Sequence, residues 1–475
     1  MTVWSERLLV AALAWGALAF GAVYPWAYWP LAVVCAAVGI HAIVVTKAWS
    51  DARTRTLALA LGAVAAAIAV QLVALPRWAL ERLSPGVESF LREYQVFYLP
   101  ASVHPLSIAP SQTTVALALF FAFGVLLVGL TRAIRYMSVE WLLNQIMGLG
   151  VALALVGILQ KIVINPDHPA LYGFWRPLQV SNPFGPFINR NHFAGWMVMA
   201  LPVVAGFSCA VFVRTHRPGS PGWAPWLRWL TTVEASRFVL IAFSALFMGM
   251  ALVLTGSRSG MASVAVATLA FAYLAMRRVH TRAARVMVIG YVTLILGGAV
   301  VWAGTDVTVG RFRVAGDDAP GRLLAWTDTR HIISDFPVFG TGIGTYGNAM
   351  LVYQSFGRPT MYLQAHNDYL QLVAEGGALV AVPAVLAGIL IVVTIRRRLL
   401  QAADHPAGYW IRVGAVAGLL GIAAQSAVEF SLQMPGNRVL FVTLLALALH
   451  RAPDVSRQAR KSSARQPSER HAHRV

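Results

Sequence analysis

The stretch ALVAVPAVLAGILIVVTIRRR, residues 378–398, decides the fold class of this chain. Its apolar part is long enough to cross a bilayer as a single helix, which takes about 20 residues, and it ends in three consecutive arginines. Comparable apolar runs recur along the chain, so we predict an all-α, polytopic membrane protein with about 12 transmembrane helices. The predicted spans are residues 8–23, 27–46, 57–75, 113–131, 141–163, 193–213, 237–255, 259–276, 286–304, 369–395, 409–427 and 438–450.

The composition and the placement of charge agree with a membrane domain. Of 475 residues, 58% are hydrophobic and 12% are charged, against about 25% charged residues in a soluble protein. The formal charge of +19 does not indicate a nucleic-acid partner, because the basic residues cluster in alternate loops between the spans, as the positive-inside rule requires. This pattern predicts that both termini are cytoplasmic. Residues 1–450 form the predicted transmembrane domain, and residues 451–475 form a basic, disordered cytoplasmic tail. We interpret this tail as a solvated end, with contact to anionic membrane lipids as the alternative.

Two features of the spans predict no chemistry. Cys35 and Cys209 both lie inside apolar runs, so we expect neither a disulfide framework nor a thiolate metal site. The first span begins with the weakly charged pair Glu6 and Arg7. We interpret this span as a retained anchor, with a cleaved signal peptide as the alternative.

Three loops on the exported side are long: residues 76–112, 164–192 and 305–368. The first contains an amphipathic segment from Ala79 to Tyr98, which we expect to lie on the membrane surface. The third is the large periplasmic loop before the tenth helix, and its length predicts structure of its own. Within it, Pro320 to Phe336 has helical periodicity. We expect this helix to rest against the bilayer or the bundle and to wall off a cavity.

The stretch QAHNDYLQLVAEGG, residues 364–377, ends this loop and enters the tenth span. Asp368 and Gln371 have the spacing of a capping pair, which places His366 and Asn367 just before the helix, at the mouth of the membrane. Glu375 follows on the same helix face, where a carboxylate is costly unless it faces a polar cavity. The simplest interpretation is a capped helix with an interfacial histidine. The functional interpretation is that His366 is a general base.

A second polar cluster, NPFGPFINRNHFAG at residues 182–195, leads into the sixth span. Asn189, Asn191 and His192 surround Arg190 where the helix begins. A guanidinium group beside the free N–H groups of a helix start can hold an anion. The alternative is that Arg190 anchors the helix at the membrane interface.

The third cluster, TGSRSG at residues 255–260, is the whole exported connection between the seventh and eighth spans. Arg258 departs from the positive-inside pattern, because it lies on the exported side of the predicted topology. Ser257 and its small neighbours allow a phosphate to approach the backbone and the start of the next helix. We therefore predict an anion-binding role for this turn.

Two weaker patterns predict neither a cofactor nor a metal. Gly342, Gly344 and Gly347 have the spacing of a dinucleotide fingerprint. That motif has meaning only after a strand within a βαβ unit, so we expect a flexible or tightly turned loop. The large loop also contains Asp317, Asp318, His331 and Asp335. Side chains of these types can bind divalent cations, but the spacing of these four residues matches no metal-binding motif.

Together, these stretches resemble the O-antigen ligase and polymerase superfamily of bacterial surface-polysaccharide enzymes. The resemblance rests on Asn-Arg-Asn-His at residues 189–192, on Gly-Ser-Arg-Ser-Gly at residues 256–260, and on a long exported loop that ends in His-Asn-Asp-Tyr-Leu-Gln at residues 366–371. It covers residues 180–435 and is most specific from Pro337 to Gly377. The first 140 residues are alike only in being hydrophobic.

The resemblance implies a reaction and a location. Members of this family transfer a glycan from an undecaprenyl pyrophosphate carrier at the outer face of the bacterial inner membrane. Ligases pass the glycan to lipid A–core, and polymerases pass it to another lipid-linked repeat. By resemblance, Arg190 and Arg258 hold the pyrophosphate and His366 lies near the acceptor hydroxyl. The other residues of the predicted substrate site are Asn189, Asn191, His192, Ser257, Asn367, Asp368, Gln371 and Glu375.

The chemistry that such a substrate requires agrees with these residues. A pyrophosphate leaving group is already activated, so the protein has to stabilise the charge that develops on the phosphates, which arginines do well. It also has to take a proton from the attacking hydroxyl, which a histidine can do. Direct attack inverts the anomeric carbon. We therefore expect an inverting glycosyltransferase, and the resemblance implies that it needs neither a metal ion nor a cofactor.

The residues leave alternatives open. Ligase and polymerase differ in the acceptor, which the sequence does not identify, and we favour the ligase. A lipid-linked-sugar flippase or transporter is also a many-helix protein that binds an anionic lipid, but it is expected to have ionisable residues and broken helices near the bilayer midplane. A purely structural membrane scaffold gives no account of Arg258.

Overall fold

The computed structural model describes residues 3–99, 102–163, 170–176, 182–215, 229–278, 285, 318–356, 361–400 and 406–450. This part of the chain is mostly helical. Its α-helices are α1 (Val3–Leu18), α2 (Pro25–Val45), α3 (Ala52–Val70), α4 (Arg77–Leu83), α5 (Pro85–Tyr94), α6 (Pro110–Ala133), α7 (Val139–Val163), α8 (Arg190–Thr215), α9 (Val233–Leu254), α10 (Arg258–Met276), α11 (Asp318–Asp335), α12 (Tyr346–Tyr353), α13 (Asp368–Leu400), α14 (Pro406–Gln425) and α15 (Pro435–Leu449). Its strands are β1 (Ala74–Pro76) and β2 (Val103–Pro105), and turns of 3-10 helix lie at Phe20–Ala22, Ala48–Ser50, Ile134–Tyr136 and Ser431–Gln433.

Nine helices of the described residues are long and apolar enough to cross a membrane: α2, α3, α6, α7, α8, α9, α10, α13 and α14. Each coincides with a predicted span, which supports a mostly helical, multi-pass membrane protein. The first and last predicted spans are also helices, but α1 has 16 residues and α15 has 15. The predicted span 286–304 and the predicted tail lie outside the described residues. The count of twelve spans therefore stays a prediction.

The bundle is centred on α8 and α14. Within their most apolar windows, 67% of α8 and 72% of α14 is buried inside the protein, against 11% of α13. The two central helices pack along each other, and α10 packs against both. The low burial of α13 leaves most of its surface available to lipid, as expected of a peripheral span.

A second hydrophobic core lies outside the bundle. The strands β1 and β2 pair antiparallel, with Ala74 opposite Pro105. The hairpin that they close carries α4 and α5, which pack against α11 and α12. The buried members of this core include Leu80, Val87, Leu91, Leu106, Ile332, Phe336, Tyr346 and Met350. The two long predicted loops 76–112 and 305–368 thus contribute to one structured unit.

This second core corrects the prediction for the segment from Ala79 to Tyr98. The segment is two helices and not one, because Pro85 lacks the N–H that would continue α4. Leu80 and Leu91 are buried against other parts of the protein, whereas we expected them to lie on the membrane surface. The predicted helix from Pro320 to Phe336 is confirmed as α11.

The glycine-rich turn before α12 is tightly folded, as predicted, and it interrupts α13. Gly340, Gly342 and Gly344 all have positive φ values. Within α13, Gly377 has a φ of 55° and a ψ of −166°, which is not helical. A Cβ atom on Gly377 would lie 2.4 Å from the carbonyl oxygen of Val338, so only glycine allows the two chain segments to approach this closely.

Candidate active site

His366 lies just before α13, in a backbone conformation that is uncommon for a residue with a side chain. Its φ is +50°, in the left-handed region that costs free energy unless the surroundings hold it. Two hydrogen bonds hold the flanking chain: Asp368 N–H donates to the Ser426 carbonyl at 2.8 Å, and Trp326 Nε1 donates to the Ala365 carbonyl at 2.9 Å. The end of α14 and the helix α11 thus fix the position of the imidazole.

The imidazole of His366 faces the carboxylate of Glu429, which follows α14. Its Nδ1 lies 3.4 Å from Glu429 Oε2, and the side chains of Glu429 and His366 are 0% and 23% exposed. The other carboxylate oxygen, Oε1, accepts a hydrogen bond from Asn191 Nδ2 at 2.7 Å and one from Arg322 Nη2 at 2.6 Å. Four separate parts of the chain therefore meet at one buried carboxylate.

Glu429 is held in its ionised form. Burial by itself raises the pKa of this carboxyl, but the hydrogen bond with His366 and the positive charge of Arg322 outweigh burial and lower the pKa below its usual value. A carboxylate next to Nδ1 favours the tautomer in which Nδ1 carries the proton. In that tautomer, Nε2 of His366 is free to accept a proton.

A second imidazole, that of His192, shares an aromatic neighbour with His366. The ring centroid of Phe430 lies 4.6 Å from that of His192 and 4.7 Å from that of His366, edge to face in both cases. His192 is buried, and its Nε2 has no hydrogen-bond partner among the described residues. Phe430 therefore forms an apolar contact that fixes both rings beside Glu429.

Arg190 and Arg258 begin two neighbouring helices, α8 and α10. A Cβ atom added to Gly260 would lie 2.6 Å from the Cβ of Ala194, so the first turns of the two helices touch. The side chain of Arg258 is exposed and that of Arg190 is partly exposed. Both arginines thus start helices at the same end of the bundle.

Three predicted site residues cap helices in this region. Asn189 Oδ1 accepts the Asn191 N–H at 2.8 Å, Ser257 Oγ accepts the Gly260 N–H at 3.1 Å, and Asn367 Oδ1 accepts the Leu370 N–H at 3.0 Å. Each cap satisfies an N–H group that the helix itself leaves free. These side chains consequently set where α8, α10 and α13 begin, next to Arg190, Arg258 and His366.

The predicted capping pair of Asp368 and Gln371 is wrong. Asn367 caps α13, because its Oδ1 accepts the N–H group of Leu370 in the first turn of the helix. Asp368 is the first residue of the helix, and its Oδ1 accepts a hydrogen bond from Gln433 Nε2 at 3.2 Å. The amide of Gln371 accepts the Ala365 N–H at 3.0 Å through Oε1, so it ties the segment before His366 to the helix.

Glu375 contacts the glycine-rich turn. Its carboxylate accepts the N–H groups of Gly344 and Tyr346, both at 2.9 Å, and Nε2 of Gln371 at 3.0 Å. Gln71 donates from Nε2 to the Glu375 carbonyl at 2.9 Å. The buried carboxylate of Glu375 is thus hydrogen-bonded to donors of the protein itself. The sequence had suggested instead that this carboxylate lies on a helix face that lines a polar cavity.

Sequence reasoning missed Glu429 and Arg322. Glu429 stands in a short stretch between two apolar spans, and Arg322 is one of several basic residues in the large loop. The only feature of Glu429 in the sequence is its position on the predicted exported side. A carboxylate is common in such loops, so this position did not indicate a site.

The fold and the site define a class of protein. It is a multi-pass membrane protein in which a histidine–carboxylate pair lies at one end of the bundle, beside two helices that each begin with an arginine. This arrangement suits proton transfer near an anionic group.

The comparison with known families identifies the class more closely. Residues 243–383 match the family described as O-antigen ligase. This match supports the resemblance to the O-antigen ligase and polymerase superfamily that the sequence motifs indicated. The matched range includes Arg258 and His366, whereas Arg190 and Glu429 lie outside it. No curated protein matches the chain.

Proposed function

We propose that this protein transfers a glycan from an undecaprenyl pyrophosphate carrier to an acceptor hydroxyl at the periplasmic face of the bacterial inner membrane, as an O-antigen ligase does. The observation that carries the proposal is the pair of His366 and Glu429 beside the starts of α8 and α10. The family match supports a glycosyltransferase-like enzyme with lipid-linked glycan substrates.

In the proposed reaction, His366 is the general base. The acceptor oxygen attacks the anomeric carbon as its proton moves to Nε2, the bond from that carbon to the pyrophosphate oxygen breaks, and the pyrophosphate leaves with the bonding electrons. Glu429 stabilises the imidazolium that forms and keeps the ring oriented. A positioned base contributes about 10²–10⁴-fold in rate. Attack from the face opposite the leaving group gives inversion.

The charge that gathers on the pyrophosphate is the second requirement. A helix start carries roughly half a positive charge. The two neighbouring starts add the guanidinium groups of Arg190 and Arg258. This positive charge at one end of the bundle supports pyrophosphate binding without a metal ion or a cofactor in the proposed scheme.

The remaining predicted site residues position these groups. Asn189, Ser257 and Asn367 cap the three helices, and Asn191 links the start of α8 to Glu429. His192 packs on the Phe430 ring, which also contacts His366. Asp368, Gln371 and Glu375 act through the chain segments that they tie together: Asp368 through Gln433, Gln371 through Ala365, and Glu375 through the glycine-rich turn.

The break in α13 has a location that argues against transport. The apolar run that follows Gly377, residues 378–395, rises about 27 Å at 1.5 Å per residue, which is close to the roughly 30 Å of the hydrocarbon core. Gly377 therefore lies near one membrane edge and not near the midplane, where a transporter is expected to have its broken helices. We favour group transfer over lipid flipping.

One experiment separates the candidate functions. The purified protein in lipid nanodiscs is incubated with undecaprenyl-pyrophosphate-linked glycan, with and without lipid A–core. Product that forms only with lipid A–core identifies a ligase, and glycan chains that lengthen without it identify a polymerase. In vesicles, movement of unaltered lipid-linked glycan between leaflets, with no transfer in either reaction, would overturn the proposal in favour of a transporter.

A further inference from the structure

A cavity of about 630 Å³ lies between α5, α11 and α12, outside the site described above. Its volume falls in the range of about 300–1,000 Å³ that is typical of small-molecule sites. Arg322 and Trp326 of α11 contact the active-site segments. Asp328, His331 and Asp335, spaced three and four residues apart on another face of α11, line the cavity. The transfer chemistry gives this cavity no role.

One wall of the cavity is aromatic. Phe90 and Tyr94 of α5 and Tyr353 of α12 line it. Their rings form a connected group through Phe336, with centroid distances of 5.2 Å from Phe90 to Tyr94, 6.4 Å from Phe90 to Phe336, and 6.3 Å from Phe336 to Tyr353. Tyr94 is 50% exposed. Rigid rings that keep a face open bind flat apolar surfaces, and the C–H face of a sugar ring is such a surface.

The other walls present hydrogen-bonding groups. Asp335 Oδ2 accepts the Tyr353 hydroxyl at 2.6 Å, and Asp328 accepts the Ser355 N–H and hydroxyl at 3.0 and 2.8 Å. Glu93 and His331 are exposed at the rim. Each carboxylate oxygen accepts more than one hydrogen bond, so these groups retain capacity for the hydroxyls of a sugar.

The charge of the cavity selects against phosphate. Among the described residues, those that line the cavity include Glu93, Asp328 and Asp335, and none of them is a lysine or an arginine. A concave surface of one sign repels ligands of the same sign. A divalent cation is disfavoured by a separate observation: in the described residues, no three His, Cys, Asp or Glu side chains are grouped closely enough to hold a metal ion.

We infer that this cavity binds uncharged sugar residues of a glycan chain, away from the reacting end of that chain. The choice of a glycan rests on the proposed function. Because an α-helix with its side chains is about 10 Å across, a few linked sugars are enough to pass from the active site around α11. The wall formed by α5 lies outside residues 243–383, the range of the family match. One wall of the cavity is therefore built by a part of the chain that this match does not cover.

Direct binding tests this inference without any transfer reaction. The probe is the oligosaccharide freed by mild acid from the lipid-linked glycan of the cells that make the protein, titrated into the purified full-length chain in a calorimeter. Tyr94→Ala and His331→Ala each raise Kd about tenfold, the usual effect of removing an anchor side chain. Tyr136→Ala is the matched control, because Tyr136 is 59% exposed at the opposite end of α6 from the hairpin. Tyr136→Ala leaves Kd unchanged.

Two outcomes overturn the inference. In the first, the unaltered protein does not bind the glycan, or the unaltered protein and both cavity variants bind it with equal Kd. The other is binding of Mg²⁺ or Ca²⁺ alone that the two cavity variants abolish, which would assign the cavity to a cation.

The transfer assay gives an independent readout. With a long glycan substrate, Tyr94→Ala raises KM and leaves kcat unchanged, whereas a substrate with a single sugar residue shows no change in either constant. An equal loss for both substrates would contradict a distal glycan site. If the unaltered protein transfers nothing, the proposed function fails, and the binding titration still decides what the cavity holds.

Discussion

His366 combines a strained backbone with a buried carboxylate partner, which is a costly arrangement unless it serves a function. Its φ of +50° and the 3.4 Å approach to Glu429 are fixed by contacts from α11 and from the end of α14. Strain of this kind clusters at active sites, where the surrounding structure holds a residue in place for chemistry. The proposed base can therefore be tested with substitutions that separate its chemistry from its backbone conformation.

We expect His366→Asn to lower kcat by about 10²–10⁴-fold, the usual contribution of a general base. Asparagine tolerates the left-handed conformation better than most residues, so this variant retains the local backbone while it lacks the imidazole. His366→Ala serves as the second variant. Transfer rates of the purified proteins, with elution volume in gel filtration as the folding control, provide the measurement. Near-normal turnover of the asparagine variant would exclude His366 as the base.

Glu429 makes the stability of the protein depend on pH. Because its pKa is lowered in the folded state, the stabilisation is fully present above the ordinary glutamate pKa of about 4.3 and is lost as the pH falls through the lower folded value. We expect the unfolding temperature of the unaltered protein to fall more steeply below about pH 5 than that of Glu429→Gln. At pH 7 the variant is less stable, by about 1–3 kcal/mol.

The control for this prediction is Glu81→Gln. Glu81 forms an exposed ion pair with Arg77, with a distance of 3.1 Å from Nε to Oε1, and exposed pairs contribute little. Thermal scans of all three proteins at several pH values provide the measurement. Parallel curves for the unaltered protein and Glu429→Gln would mean that the buried carboxylate is not ionised in the folded state.

At the residue scale, the sequence predicted site residues whose position relative to the membrane or to a helix is unusual. It missed site residues whose position in the sequence is common. Arg258 was recognisable because it lies on the wrong side for the positive-inside rule, and His366 because it precedes a helix beside other polar residues. Glu429 has no such signal, since only the fold brings it to Asn191, which lies 238 positions away in the chain. The capping role of Asn367 was missed because two adjacent residues can both cap, and geometry decides between them.

At the element scale, the contact between α8 and α10 determines how close the two arginines lie. Gly260→Ala places a methyl group where only 2.6 Å separates it from the Cβ of Ala194, so the two helix starts have to move apart. We expect a loss of about 1–3 kcal/mol in stability and a higher KM for the lipid-linked donor. Gly249→Ala in α9 is the matched control, because a Cβ atom there meets nothing within 4 Å. Equal KM values for both variants would show that the spacing of the helix starts does not affect donor binding.

The break in α13 marks the limit of prediction at this scale. Hydropathy predicted one continuous span at 369–395, because an apolar run gives no information about backbone dihedrals. The break depends on a contact with a different segment: Ala378 N–H donates to the Pro337 carbonyl, and Leu379 N–H donates to the Val338 carbonyl. The glycine-rich turn itself was predicted, since glycines at close spacing favour positive φ values.

At the scale of the whole molecule, the bundle was predictable and the second core was not. Apolar runs have a strong signal of their own, so nine predicted spans coincide with helices of the described residues. The second core joins Leu91 of α5 to Phe336 after α11. Both segments showed a helical pattern in the sequence, but a contact between residues so far apart in the chain leaves no local trace. The hairpin therefore looked like a surface segment in the sequence.

The orientation of the bundle supports a final prediction, because the proposed function needs the active-site end to face the periplasm. Ser50 and Ser89 are both exposed and are separated by the single span α3, so cysteines at these positions lie on opposite sides of the membrane. After Cys35 and Cys209 are replaced by alanine, we expect a membrane-impermeant maleimide to label Ser89→Cys in cells with a permeable outer membrane and Ser50→Cys only after lysis. The transfer activity of the cysteine-free protein is the folding control. The reverse pattern would place the second core, and the active site next to it, in the cytoplasm. Labelling of both positions from outside would mean that α3 does not cross the membrane.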